Sequence, residues 1–96
     1  MKYLKKFNEN KEEIDVNYLI ECFVDLIDEG AEYGVDSDEH GDWFCLNIDA
    51  GVSFQKANEI IQEILYSIEK IKIKYPDVDF NIENKGDGEI GLYIKI

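Results

Sequence analysis

A chain of 96 residues has room for one domain and one modest core. Hydrophobic residues make up 45% of it, an ordinary globular share that argues against disorder in spite of the charge. Its 22 acids face ten basic residues, all lysine, and the resulting net charge of −12 repels nucleic acid and anionic membranes while favouring basic partners, or proteins that normally hold nucleic acid.

The opening "MKYLKKFNENKEE" is basic, then acidic, and lacks the apolar run of a signal peptide. No later run is long enough to span a membrane, so a cytoplasmic location is expected. Val16–Glu29, "VNYLIECFVDLIDE", predicts a helix with Val16, Leu19, Ile20, Phe23 and Ile27 on one apolar stripe. Asp15 suits its N-cap and Gly30 its C′ position. Ala31–Asp36 alternates as a strand, with Tyr33 and Val35 on one side. A turn follows over Ser37–Gly41, then a second strand over Asp42–Asp49 with Phe44, Leu46 and Ile48 inward.

The same order then recurs. Ser53 caps a longer helix reaching Tyr75, with Phe54, Ala57, Ile60, Ile61, Ile64, Leu65, Ile68 and Ile71 on its buried side, and Pro76 ends it. Val78–Glu83 is a strand, Asn84–Gly88 ("NKGDG") a hairpin turn, and Ile90–Ile96 the last strand. The expected fold is α+β: an αββαββ chain with two helices on one face of a four-stranded antiparallel sheet. It forms a single domain over 1–96, with the pattern repeated in 15–49 and 53–96. A dimer that pairs edge strands satisfies the same pattern.

Alternation leaves an open sheet face with Glu32, Asp36, Trp43, Cys45, Asn47, Asp49, Asp79, Asn81, Glu83, Tyr93 and Lys95. Trp43 there is either a contact residue or is covered by the N-terminal Tyr3, Leu4 or Phe7. Cys22 and Cys45 lack a metal-ligand spacing and read as buried free thiols in a reducing compartment, with a disulfide between them as the alternative.

The charge is uneven. Glu12–Asp49 holds thirteen acids and no lysine, whereas residues 50–96 carry eight acids and six lysines. Glu21, Asp25 and Glu29 follow one another at i, i+4, and Asp28 and Glu29 sit where the helix dipole favours cations. Such an arrangement costs stability, and the second helix avoids it with Lys70, Lys72 and Lys74 near its end. Duplex DNA carries about one charge per 1.7 Å of axis. The first helix and the loop after it offer carboxylates at a comparable density.

"GVDSDEHGDW", Gly34–Trp43, partly matches a calcium loop: Asp36, Asp38 and Gly41 fall at its first, third and sixth positions. His40 and Asn47 occupy the fifth and twelfth, where acids or amides and a glutamate belong, and the flanks read as strands. His40 has no nucleophile placed beside it by sequence, and "NKGDGEIG" joins two strands rather than a strand and a helix. No enzyme, cofactor or specific metal site is expected.

The opening third resembles small acidic proteins of tailed bacteriophages. The resemblance rests on Phe7, the "EID" of Glu13–Asp15, Tyr18 and "CFVDLIDEG" at Cys22–Gly30. It implies a phage-encoded accessory protein in the host cytoplasm, and it transfers no catalytic residue. With the charge, it suggests an inhibitor of the anti-CRISPR or other anti-defence type, acting as a DNA mimic on a host nucleic-acid-binding protein such as a CRISPR effector or restriction enzyme. The candidate partner-binding residues are Glu21, Asp25, Asp28, Glu29, Glu32, Asp36, Asp38, Glu39 and Asp42, with Trp43 as an anchor. Two alternatives stand beside this: an assembly protein that self-associates through the open sheet face, and a weak divalent-cation module.

Overall fold

The computed structural model describes residues 13–96. The first helical segment opens at Asp15, whose carboxylate accepts a hydrogen bond from the Asn17 N–H at 3.0 Å. That cap satisfies one of the donors left free in a first helical turn. Helix α1 spans Val16–Cys22 and α2 spans Val24–Asp28. The single helix expected over Val16–Glu29 is therefore two, and the element order is ααββαββ rather than αββαββ.

The break has a tertiary cause. Ser67, buried in the third helix, donates its hydroxyl to the Cys22 carbonyl at 3.1 Å. In a continuous helix that carbonyl would accept from Leu26. A side chain entering the ladder in this way divides the helix. Phe23 at the junction is buried and stacks on Phe44 of the sheet at 6.2 Å. The segment ends at Gly30, φ 111°. There the Ala31 N–H reaches the Leu26 carbonyl and the Gly30 N–H reaches the Ile27 carbonyl, both at 3.0 Å. This is the Schellman pairing that a glycine at C′ permits.

Strand β1 (Glu32–Asp38) and strand β2 (Gly41–Asp49) form a hairpin around Glu39 and His40. Helix α3 (Phe54–Lys74) follows, capped by Ser53, whose hydroxyl accepts from the Lys56 N–H at 3.1 Å. Strands β3 (Phe80–Asn84) and β4 (Glu89–Lys95) complete an antiparallel sheet in the order β1-β2-β4-β3. Each αββ unit thus places its second strand in the centre and its first strand at an edge. Phe44, Leu46 and Ile48 of β2 and Ile90, Leu92 and Ile94 of β4 are buried on one face. Leu19, Phe23 and Leu26 of the short helices and Ile60, Ile64, Ile68 and Ile71 of α3 join them in one core cluster. Each unit therefore buries its apolar face with the help of the other.

Several expected core positions differ. Leu26 is buried, while Ile27 of the predicted stripe is only partly so, because the break at Phe23 rotates the last turn. Phe54 is 92% exposed: it opens α3, one turn before Ala57, the first residue of that helix to reach the core. Leu65, at 39% exposure, lies on the flank of the buried stripe. Both cysteines are unpaired and half-buried rather than buried. Among the described residues no helix is long and apolar enough to cross a membrane.

One close backbone approach ties the two units together. The Ala50 N–H donates to the Gly88 carbonyl at 2.7 Å, and a Cβ added at Gly88 would strike the Gly51 carbonyl. Gly88 also has φ 80°, a left-handed value. Gly51, at φ 66°, has open space around its own missing Cβ. Replacing Gly51 with alanine adds only the left-handed penalty, about 1–2 kcal/mol. Gly88→Ala adds a backbone clash to that penalty. We expect urea unfolding midpoints in the order wild type, Gly51→Ala, Gly88→Ala, with the larger step at Gly88.

Candidate functional site

All nine candidate carboxylates are exposed, and Trp43 is half-buried. They do not form one surface. Glu21, Asp25, Asp28 and Glu29 lie on or at the end of the short helices, in the layer that covers one sheet face. Glu63 of α3 stands beside this group. Burial first, and then the charges of Glu29 and Asp25, push its carboxyl above the ordinary 4.5. The first helical segment and α3 run side by side, so carboxylates from both meet across the seam.

The strand residues lie on the opposite layer. The register sets Asp36 against Trp43 and Trp43 against Lys95, and it sets Glu32 against Asn47. These positions alternate with the buried Phe44 and Leu46, so they belong to the open face. Asp42 has the parity of Phe44 and falls on the helix side, where the Ser37 hydroxyl donates to it at 2.6 Å. Glu39 sits at the hairpin tip, 3.7 Å from the His40 imidazole. Glu32, at the start of β1, lies between the two groups in the chain. Covering of Trp43 by Tyr3, Leu4 or Phe7 concerns positions outside the described residues.

On the open face Asp36, Asp38, Trp43, Cys45, Asn81 and Tyr93 line a shallow cleft of about 280 Å³. All four strands build it: β4 carries Tyr93 in register with both Cys45 of β2 and Asn81 of β3, and β1 adds Asp36 and Asp38. The Trp43 indole N–H is buried and finds no acceptor among the described residues. The Lys95 ammonium lies 5.7 Å from the Trp43 ring centre. Lys85 crosses the sheet to donate to the Asn47 side-chain oxygen at 2.9 Å and lies 5.5 Å from the Tyr93 ring. Gly91 leaves the room for that crossing: a Cβ there would meet the Lys85 stem at 2.9 Å.

The chemistry of the cleft favours cations. Two carboxylates beside two aromatic rings suit an ammonium or guanidinium group, held by charge and by the ring faces. The Cys45 thiol lies 3.6 Å from an Asp36 carboxylate oxygen. Burial first, and then the Asp36 charge, raise its pKa above the ordinary 9.0. The sulfur is therefore held as a thiol at neutral pH, which lowers its reactivity as a nucleophile.

The hairpin tip is occupied with its own backbone. Asp38 accepts from the His40 N–H at 2.7 Å, and Gly41, φ 123°, takes the turn's left-handed residue. The stretch that partly matches a calcium loop is thus two strands and a tight turn. Among the described residues no three His, Cys, Asp or Glu side chains converge in a metal-holding arrangement.

The aromatic and amide walls, Tyr93 and Asn81, are not among the residues singled out from sequence. Alternation places them on the open face, but only the strand order brings them beside Trp43 and Asp36. Compared with family models, with curated proteins and with solved structures, the chain matches none.

The crowding around Glu63 has a measurable consequence. A carboxyl with a raised folded-state pKa favours the fold when protonated; that stability is full below the unfolded value and is lost as pH rises through the folded value. Glu63→Gln removes the repulsion with Asp25 and Glu29. Its Tm near pH 7 is expected to exceed that of the wild type by a few degrees, and the gap to close near pH 4. Thermal melts across that range check both.

Proposed function

We propose that this protein is a non-catalytic inhibitor of phage type, which occupies the basic, nucleic-acid-binding surface of a host protein through its lysine-free acidic segment. One observation carries the reading. The nine carboxylates are all exposed, and among the described residues no lysine lies within ion-pair distance of any of them. Among the described residues the lysine ion pair, Lys72 with Glu69, lies in α3, and none reaches the carboxylates of the first unit. Burial first, and then the charges of Glu29 and Asp25, raise the Glu63 carboxyl; a basic partner would relieve the second contribution. The likeness of the first third to small acidic proteins of tailed bacteriophages supports the same partner class and a place in the host cytoplasm.

The two acidic layers divide the work in this reading. The helical carboxylates present a dense row to a basic surface, and the strand carboxylates flank an aromatic cleft that accepts single cationic side chains. Both steer association and weaken with salt.

The test is a pull-down from host lysate with the intact chain. A nucleic-acid-binding protein should be retained at low salt, released as salt rises, and displaced by duplex DNA. The variant Asp25→Lys, Glu29→Lys, Asp38→Lys should retain it at least about tenfold less well. Equal retention by that variant would overturn the reading.

A second reading, self-association through the open sheet face, draws on the half-buried Trp43 and Tyr93 beside each other in the cleft, aromatic surface that a second copy would cover. Sedimentation should then report a dimer that Trp43→Ala dissociates; a monomer at high concentration removes this reading.

A further inference from the structure

Strand β1 is an open sheet edge. It pairs with β2 over seven unbroken residue pairs, Glu32↔Asn47 through Asp38↔Gly41, and with no other strand among the described residues. Every residue of β1 is exposed. Natural edges are blunted by bulges, proline or charged side chains; β1 has no bulge, proline or lysine in its register, and its charges are all carboxylates, which repel an acidic strand and admit a basic one. The opposite edge differs. β3 is five residues long, its Phe80 and Ile82 pack against the core, and Lys72 lies 5.7 Å over the Phe80 ring.

The two faces of β1 carry different chemistry. Tyr33 and Val35 point to the helix side but are each 49% exposed, since the helices stop short of this edge. Tyr33 stacks on Phe44 at 6.3 Å and so continues the apolar layer outward. Glu32, Asp36 and Asp38 point to the open face. Between them Gly34 leaves a gap, with nothing within 4 Å of where its Cβ would be. A long side chain can lie across that gap toward the Asp36–Trp43 cleft.

We infer that the outer edge of β1 takes up an extended protein segment in which arginine or lysine alternates with apolar residues, adding it as a fifth strand. The inference rests on the basic-partner reading above and gives that partner a backbone geometry. Main-chain hydrogen bonds supply attachment, and the period of two supplies selection: basic side chains opposite Glu32, Asp36 and Asp38, apolar ones opposite Tyr33 and Val35. A second copy of β1 is a poor occupant. Antiparallel self-pairing joins like face to like face and sets carboxylates directly against carboxylates, which is destabilising.

Two synthetic seven-residue peptides of identical composition test this on the intact, isotope-labelled chain. One alternates arginine and valine; the other carries its arginines and valines in two blocks. Binding of the alternating peptide should be at least about tenfold tighter. It should also slow hydrogen exchange of alternate β1 amides at least about tenfold. Glu32→Lys with Asp36→Lys should abolish the preference, while Glu59→Lys with Asp77→Lys, exposed acids of the second unit, leaves it intact. Equal binding of both peptides with unchanged β1 exchange overturns strand addition and leaves the electrostatic reading standing. Failure of both peptides to bind at low salt overturns the two together. If β1 amides are protected before peptide is added, strand addition is also overturned: protection that grows with protein concentration assigns the edge to a second copy, and constant protection to another segment of the same chain.

Discussion

The pairing of β2 with β4 governs the rest of the molecule. Both strands carry a buried side chain at every second position, and their antiparallel register sets Leu46 against Leu92 and Phe44 against Ile94. Once these two strands occupy the centre, β1 and β3 can only be edges. The helices must then cover the middle, because that is where apolar area is densest. Phe23 on Phe44 and the isoleucines of α3 over β4 follow from this. The acidic strand is left at the margin, outside the helix layer, with its polar face turned to solvent.

That geometry explains how a chain with so lopsided a charge can fold. Carboxylates placed near a low-dielectric core would each require a partner. Here they lie on the exposed side of two short helices and on an edge strand, in water, where repulsion is weak and screened. The exception is Glu63, which α3 holds partly buried beside Asp25 and Glu29, and its proton affinity rises accordingly. The helical carboxylates and those of Asp36 and Asp38 also cannot serve one flat contact, since a sheet separates them. A partner that uses both must wrap the edge at Glu32, or two contacts of different character must exist.

Much of this is legible from residue order. Period-two runs such as Phe44, Leu46 and Ile48, and the spacing of Ile60, Ile64, Ile68 and Ile71, identify strands and helix because burial acts on every repeat. Capping by Asp15 and Ser53 and the stop at Gly30 are equally local. What escapes are events that depend on distant residues. The break at Phe23 follows from Ser67, 45 positions beyond the Cys22 carbonyl that it bonds. The exposure of Tyr33 and Val35 follows from strand order, since an alternating strand looks the same whether or not a helix covers it. The cleft belongs to the same class: its composition can be listed from alternation, but its existence needs Asn81, Tyr93 and Trp43 side by side.

The exposure of β1 reaches beyond recognition into how such a chain can change over generations. The buried core is built by side chains of α1, α2, α3, β2 and β4, and β1 adds only the half-exposed Tyr33 and Val35. Substitutions at Glu32, Asp36 and Asp38 are therefore close to neutral for folding, provided a strand conformation survives. Selection on what this edge meets can act on it almost independently of selection on the core. A lineage could exchange one set of edge residues for another and retain the same scaffold beneath.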